Sequence, residues 1–113
     1  MIKIKDKSVK YIIDRYLEKI KKLYNPQEIW LWGSRVYGNP TPYSDVDMII
    51  VSDSFSQIKF LKRRSTFLKE TGLLYDKNAE VVDALCYSPE EFEKRKHDIG
   101  ILKEALEKGL RIA

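Results

Sequence analysis

Apolar side chains at Val9, Ile12, Ile13, Tyr16, Leu17, Ile20, Leu23 and Tyr24 recur every three or four residues, the spacing of one face of an amphipathic helix. The pattern predicts a helix from Ser8 to Tyr24, ended by Asn25-Pro26. The rhythm then changes. Glu28 to Trp32 is dense in Ile, Trp and Leu and reads as a strand stopping at Gly33. Tyr37 to Ser44 holds Gly38, Asn39, Pro40 and Pro42, which makes most of it loop. A second strand starts at about Asp45, and its run Met48-Ile49-Ile50-Val51 reads as buried; Ser52, Ser54 and Ser56 close it.

From Ile58 to Gly72 a helical pattern carries Phe60, Leu61, Phe67 and Leu68, with many Lys and Arg outside and Gly72 as C-cap. Asp76-Lys77-Asn78 forms a turn, and Glu80 to Cys86 has the β-branched and apolar content of a third strand. Ser88-Pro89-Glu90-Glu91 gives an N-cap serine, proline at the first helical position and glutamate at the third. A last helix runs from about Ile99 to Lys108 and stops at Gly109, leaving Leu110-Arg111-Ile112 as a short edge strand. These elements predict an α/β (α+β) fold, a small mixed sheet flanked by helices and covered at least in part on both sides.

Composition narrows this picture. With 113 residues the chain fits one domain, 1–113, with room for one core but not for a second, substrate-recognising domain. Hydrophobic residues at 43% and charged residues at 34% describe a soluble globular protein. A net charge of +4 permits nucleic-acid binding without requiring it. Lys62-Arg63-Arg64 reads as a solvated helix face. One cysteine, Cys86, excludes an internal disulfide and suits a reducing cytoplasm, where it is expected to be inert core. The chain has no run of the roughly 20 apolar residues a membrane span needs, and Met1-Ile2-Lys3-Ile4-Lys5 lacks a signal-peptide core. We expect a soluble, unexported protein that engages no membrane.

The chemistry is concentrated in fifteen positions. Gly33-Ser34 follows the first strand, and Asp45-Val46-Asp47 opens the second ten residues later. A Gly-Ser turn brings backbone N–H groups and a hydroxyl to one spot where phosphate can approach without a Cβ in the way. Arg35 could supply a cation or serve as a salt-bridge partner, and a helical turn from Ser34 would add its positive end. Residues two apart on a strand share a face, so Asp45 and Asp47 project together, tolerable only with a cation or strong hydrogen bonds beside them. Magnesium takes such oxygen ligands, and two ions about 3.5–4 Å apart could support in-line displacement at an α-phosphorus. A third carboxylate is then needed on a neighbouring strand. Asp83, inside an apolar strand, is favoured as metal ligand or general base, with Glu80 the competitor on the opposite face.

Trp30-Leu31-Trp32-Gly33-Ser34-Arg35, Ser44-Asp45-Val46-Asp47-Met48-Ile49-Ile50, and the Asp83 strand followed by Ser88-Pro89-Glu90-Glu91-Phe92 together resemble the nucleotidyltransferase superfamily related to DNA polymerase β. Within it, the size and ten-residue gap are similar to the minimal nucleotidyltransferases that pair with HEPN-domain proteins in toxin-antitoxin systems. The resemblance implies a polymerase β-like fold, magnesium, and transfer of AMP from ATP to a tyrosine of a HEPN toxin, so that the chain acts as an antitoxin by AMPylation. It implies catalysis and metal binding by Asp45, Asp47 and Asp83, and nucleotide binding by Gly33, Ser34 and Arg35. Tyr37 departs from the pattern, where many relatives carry a second basic residue, and Trp32 replaces a common phenylalanine. Two other readings stay open: a non-catalytic module that neutralises its partner by covering it, and nucleotide addition to RNA. His97, after Lys94-Arg95-Lys96, reads as surface, and Tyr37 and Tyr43 as loop aromatics able to stack on a base or pack the loop.

Overall fold

A computed structural model describes residues 4–42, 44–79, 81–97 and 100–113. The first helix, α1, spans Lys7–Tyr24, one residue earlier than the apolar pattern suggests. Asp6 starts it: its Oδ1 accepts the Val9 amide at 3.0 Å, the N-cap bond that satisfies a free helix-end donor. Asn25 ends it in the left-handed region, at φ 43°. Strand β1 is Glu28–Trp32, as expected, and a single-turn helix, α2, occupies Ser34–Tyr37. Strand β2 runs Val46–Val51.

The serines after β2 do more than end it. Ser52 Oγ accepts the Ser54 amide and starts a 3-10 turn over Asp53–Gln57, which drives Phe55 fully into the core between Tyr24 and Phe67. Helix α3 accordingly begins at Phe60 rather than Ile58 and runs to Thr71, with Gly72 at φ 88° as its left-handed cap. Strand β3 is Val82–Tyr87; Glu80, where the expected strand begins, lies outside the described residues. Helix α4, Pro89–Arg95, carries the full capping box between Ser88 and Glu91. Helix α5 spans Ile101–Lys108, and Ile99, its expected start, is also outside the described residues, as are Met1–Lys3 and Tyr43. The short strand β4, Leu110–Arg111, follows.

The sheet order is β3-β2-β1-β4, with β1 antiparallel to β2 and β4 and with β2 parallel to β3. Alternation along the strands divides two cores. Ile29, Leu31, Val46, Met48, Ile50, Val82, Ala84 and Cys86 meet α1 and α3 through Ile12, Tyr16, Ile20, Phe67 and Leu68. Ile49, Val51 and Tyr87 meet α4 and α5 through Phe92, Leu102 and Ala105. The sheet is thus covered on both faces, which explains the unbroken apolar run of β2. Cys86 is buried, and desolvation pushes its thiol up to about 12, as inert core requires.

In Lys62-Arg63-Arg64 the expectation of a solvated face agrees with exposed Lys62 and Arg64 and is corrected at Arg63. Arg63 is buried, donating to the carbonyls of Ile58 and Cys86 and to Glu91 Oε1 at 2.8, 3.2 and 2.5 Å. Arg64 Nη2 lies 3.5 Å from the Val82 carbonyl. Val82 and Cys86 turn their carbonyls away from β2, which bonds instead to those of Val81 and Tyr87. Two successive arginines of α3 therefore close over the outer edge of β3, a way of blunting an edge strand against unwanted pairing.

Glu91 accepts Arg63 and the Ser88 amide together, and the Arg63 hydrogen bond chiefly lowers its pKa to about 2. We expect Arg63→Met to lower the unfolding free energy in urea by about 2–3 kcal/mol, because it removes the ion pair of Glu91 and leaves the Ile58 and Cys86 carbonyls without this donor. The Glu91 contribution is present above its ordinary value of 4.5 and lost as pH falls toward about 2, so the gap between wild type and variant should narrow across that window. A gap that does not change with pH would show that the carboxylate is not held by Arg63.

Candidate active site

The strand registers assemble the site. Trp32 stands opposite Asp47 in the β1–β2 pairing, and Asp47 beside Asp83 in the β2–β3 pairing. Residues paired across a sheet share a face, so Trp32, Asp47 and Asp83 form one row on the side of α4 and α5. The next row inward is Trp30, Ile49 and Leu85, all packed in the smaller apolar cluster. The face turns from apolar to acidic in one row, at the end where β1 finishes and β2 and β3 begin. Asp45, exposed, precedes β2 by one residue.

Gly33 fits this arrangement in two ways. Its φ of 92° is in the left-handed region, and a Cβ there would stand 2.2 Å from Asp47 Oδ2, far inside contact distance. The glycine expected to admit phosphate therefore already has the Asp47 carboxylate against its main chain. The α2 turn then closes on Gly33, whose carbonyl accepts the amides of Val36 and Tyr37 at 3.0 and 3.2 Å. The first amides of a helix have no acceptor within it, which leaves those of Ser34 and Arg35 available beside Gly33.

Arg35 is committed elsewhere. Its Nε donates to the Ser44 carbonyl at 2.7 Å, Nη1 to Asp6 Oδ2 at 3.1 Å and Nη2 to the Thr41 carbonyl at 3.2 Å. The Arg35 and Asp6 side chains are only 8% and 12% exposed, so this is a mostly buried pair. It ties α2 and the end of the motif loop, next to Asp45, to the cap of α1. Asp83, beside Asp47, pairs through Oδ1 with Arg64 Nε at 3.1 Å. Glu80, the competing carboxylate, lies outside the described residues. His97 is exposed and remote in sequence from these groups.

Sequence reasoning missed Asp6 and Arg64. Asp6 was recoverable, since an aspartate three residues before Val9 at a helix start has N-cap spacing. Arg64 carries no local signal, because it reaches Asp83 only after α3 has packed along β3.

The acids press on one another. Desolvation first, then the charges of Asp83 and Asp45, raise the Asp47 carboxyl from 3.8 to about 6. Among the described residues no three His, Cys, Asp or Glu side chains are gathered to hold a metal ion. The donor chemistry nevertheless suits a hard dication: the donors here are carboxylate oxygens, and the charges of Asp83 and Asp45 add to burial in raising Asp47. Asp45 and Asp47 are the residues that would hold it first, with Asp83 adjacent.

A Gly-Ser turn thus stands at a strand end beside an acidic row that spans two neighbouring strands of a mixed sheet. A family model for the nucleotidyltransferase domain matches residues 13–112, and the chain belongs to that family. Its four-stranded mixed sheet flanked by helices is the polymerase β-like nucleotidyltransferase fold. Among solved structures, a protein from Sulfolobus solfataricus described as a "putative nucleotidyltransferase" matches with a TM-score of 0.52 at 17% identity, over 98% of this chain and 89% of that one. BolA1 from Arabidopsis thaliana matches with a TM-score of 0.55 at 20% identity, over 69% of this chain and 92% of that one. At these identities both are likenesses of fold alone. No curated protein matches the sequence.

Two outcomes follow from the geometry. Gly33→Ala should destabilise the fold by about 1–3 kcal/mol in urea and displace Asp47, because it adds both a strained φ and a clash; a variant as stable as wild type would contradict the close approach. Asp47, with its folded pKa raised, contributes stability below about pH 4 that is lost as pH rises through about 6. Asp47→Asn should therefore exceed wild type at pH 7.5 by on the order of 1 kcal/mol after solvent screening, and the advantage should vanish near pH 4. Thermal melts across pH check it, and an advantage that grows toward acid pH would contradict it.

Proposed function

We propose that the chain, residues 1–113, is a magnesium-dependent nucleotidyltransferase that moves AMP from ATP to a hydroxyl of a partner protein. The observation that carries the reading is the row in which Asp47, held against Gly33, lies beside Asp83 on the next strand. Gly33 and Ser34 would receive the triphosphate at the α2 turn, where the first amides of the turn suit an anion. Bound magnesium would offset the carboxylate and phosphate charges and polarise the α-phosphate. Asp45 and Asp47 would orient the nucleotide, and Asp83 would accept the acceptor's proton or serve as a further ligand. A new bond forms between the acceptor oxygen and the α-phosphorus as the α–β anhydride bond breaks, and pyrophosphate carries away the bonding electrons.

Arg35 serves this site by fixing the loop before Asp45, since all three of its nitrogens are bonded within the chain. Family membership supports transfer from an NTP. The choice of ATP, of a protein acceptor and of a HEPN toxin as that acceptor, with the chain as cytoplasmic antitoxin, rests on the resemblance of its size and ten-residue motif gap. Exposed Phe60 and Leu61 lie beside Arg64 and Leu85, exposed Leu74 and Val81 beside Arg64 and Val82, and such apolar surface around β3 suits a protein acceptor better than a small one.

The test incubates the chain with labelled ATP, magnesium and its co-purifying partner. Label should appear on a tyrosine of the partner and fall at least a hundredfold with Asp47→Asn. Transfer to RNA alone would replace the protein acceptor by a nucleic acid. Absence of transfer, with Asp45→Asn and Asp47→Asn neutralising the partner as well as wild type, would replace catalysis by steric cover.

A further inference from the structure

Asp83 occupies the position of third carboxylate, yet its Oδ1 is held by Arg64 Nε at 3.1 Å, and the same guanidinium reaches the Val82 carbonyl on the outer side of β3. Asp83 is thereby tied through one oxygen to the outer edge of β3. Arg64 arrives there from α3, whose Phe67 and Leu68 belong to the opposite core, so it wraps the edge strand to reach the acidic row. Its neighbour Arg63 wraps the same edge but is buried and bound to Glu91, and is fixed for structural reasons. The Arg64–Asp83 pair differs: its side chains are 51% and 47% exposed. An exposed pair of this kind is worth little and opens readily, whereas the buried Arg63 pair does not.

The geometry points to Arg64 as a positioning residue that occupies Asp83 Oδ1 until a cation displaces it. This rests on the nucleotidyltransferase reading above and adds a control to its third ligand. With Arg64 in place, one oxygen of Asp83 is already taken, and Asp45 and Asp47 form a two-carboxylate entry site. A dication that takes Asp83 Oδ1 displaces the 3.1 Å contact, so ion binding there competes with Arg64 for that oxygen. The released guanidinium keeps its place on the β3 edge through Val82 and stays close enough to recapture Asp83 when the ion leaves.

Mn2+ titration of the full chain without nucleotide, read by electron paramagnetic resonance of the free ion, tests this separately from activity. Arg64→Ala should bind Mn2+ about two- to fivefold more tightly than wild type, the range an exposed ion pair allows. Arg64→Lys, which retains the charge, should return affinity toward wild type. In an Asp83→Asn background, Arg64→Ala should have little effect, since the competed ligand is gone. Equal affinity of wild type and Arg64→Ala, or the same gain with Asp83→Asn present, would overturn the role of Arg64. If Mn2+ binding is abolished by Asp47→Asn in those same samples, the nucleotidyltransferase site survives that failure. If no variant and no wild type binds Mn2+, both readings fall together.

Discussion

The contact between the Asp47 carboxylate and the backbone of Gly33 is the constraint around which the site is built. A Cβ at residue 33 would fall 2.2 Å from Asp47 Oδ2, so the turn that could receive phosphate and the acid that could receive a cation occupy adjoining space. Antiparallel pairing of β1 with β2 creates that contact by setting Trp32 opposite Asp47. Parallel pairing of β2 with β3 then sets Asp83 on the other side of Asp47. One strand therefore stands between the Gly33 turn and Asp83, and among the described strands it is the most completely buried. The apolar packing of Met48, Ile49, Ile50 and Val51 on both faces fixes the register that places a charge at its end.

Charge in this protein is managed by arginines that are not interchangeable. Arg35 is buried against Asp6 and three loop carbonyls, and joins the cap of α1 to the loop before Asp45. Arg63 is buried against Glu91 and joins α3 to the start of α4. Arg64 is exposed and holds a carboxylate of the acidic row. The first two are framework, because opening either would orphan a buried charge. The third can move at small cost, which is what a ligand-exchange role requires.

Much of this was legible in the sequence, for identifiable reasons. The helical spacing of Val9, Ile12, Tyr16 and Ile20 specified α1, and β1 was recovered to the residue because Asn25-Pro26 and Gly33 bracket it. The Ser88 to Glu91 capping box is a local signal and appeared as read. Asp45, Asp47 and Asp83 could be picked out because charged residues at the ends of apolar strands are costly, and two of them prove to be register neighbours. What the sequence hid depends on tertiary packing. Phe55 enters the core through a short 3-10 turn that a string of serines does not advertise. Arg63 and Arg64 look like a solvated basic face until α3 lies along β3 and turns them onto its edge. Arg35 looks available for phosphate until Asp6, twenty-nine positions earlier, closes on it.

The central claim is that Asp45, Asp47 and Asp83 act as one electrostatic unit designed to be completed by a cation. A direct measurement is the pH titration of the Asp47 side-chain carboxyl carbon by NMR, with and without magnesium. The account predicts a midpoint near 6 in the free protein, dropping when Asp83→Asn or Asp45→Asn removes a neighbouring charge, and dropping further when magnesium is added. A midpoint near the ordinary 3.8, unmoved by either substitution or by the ion, would contradict it.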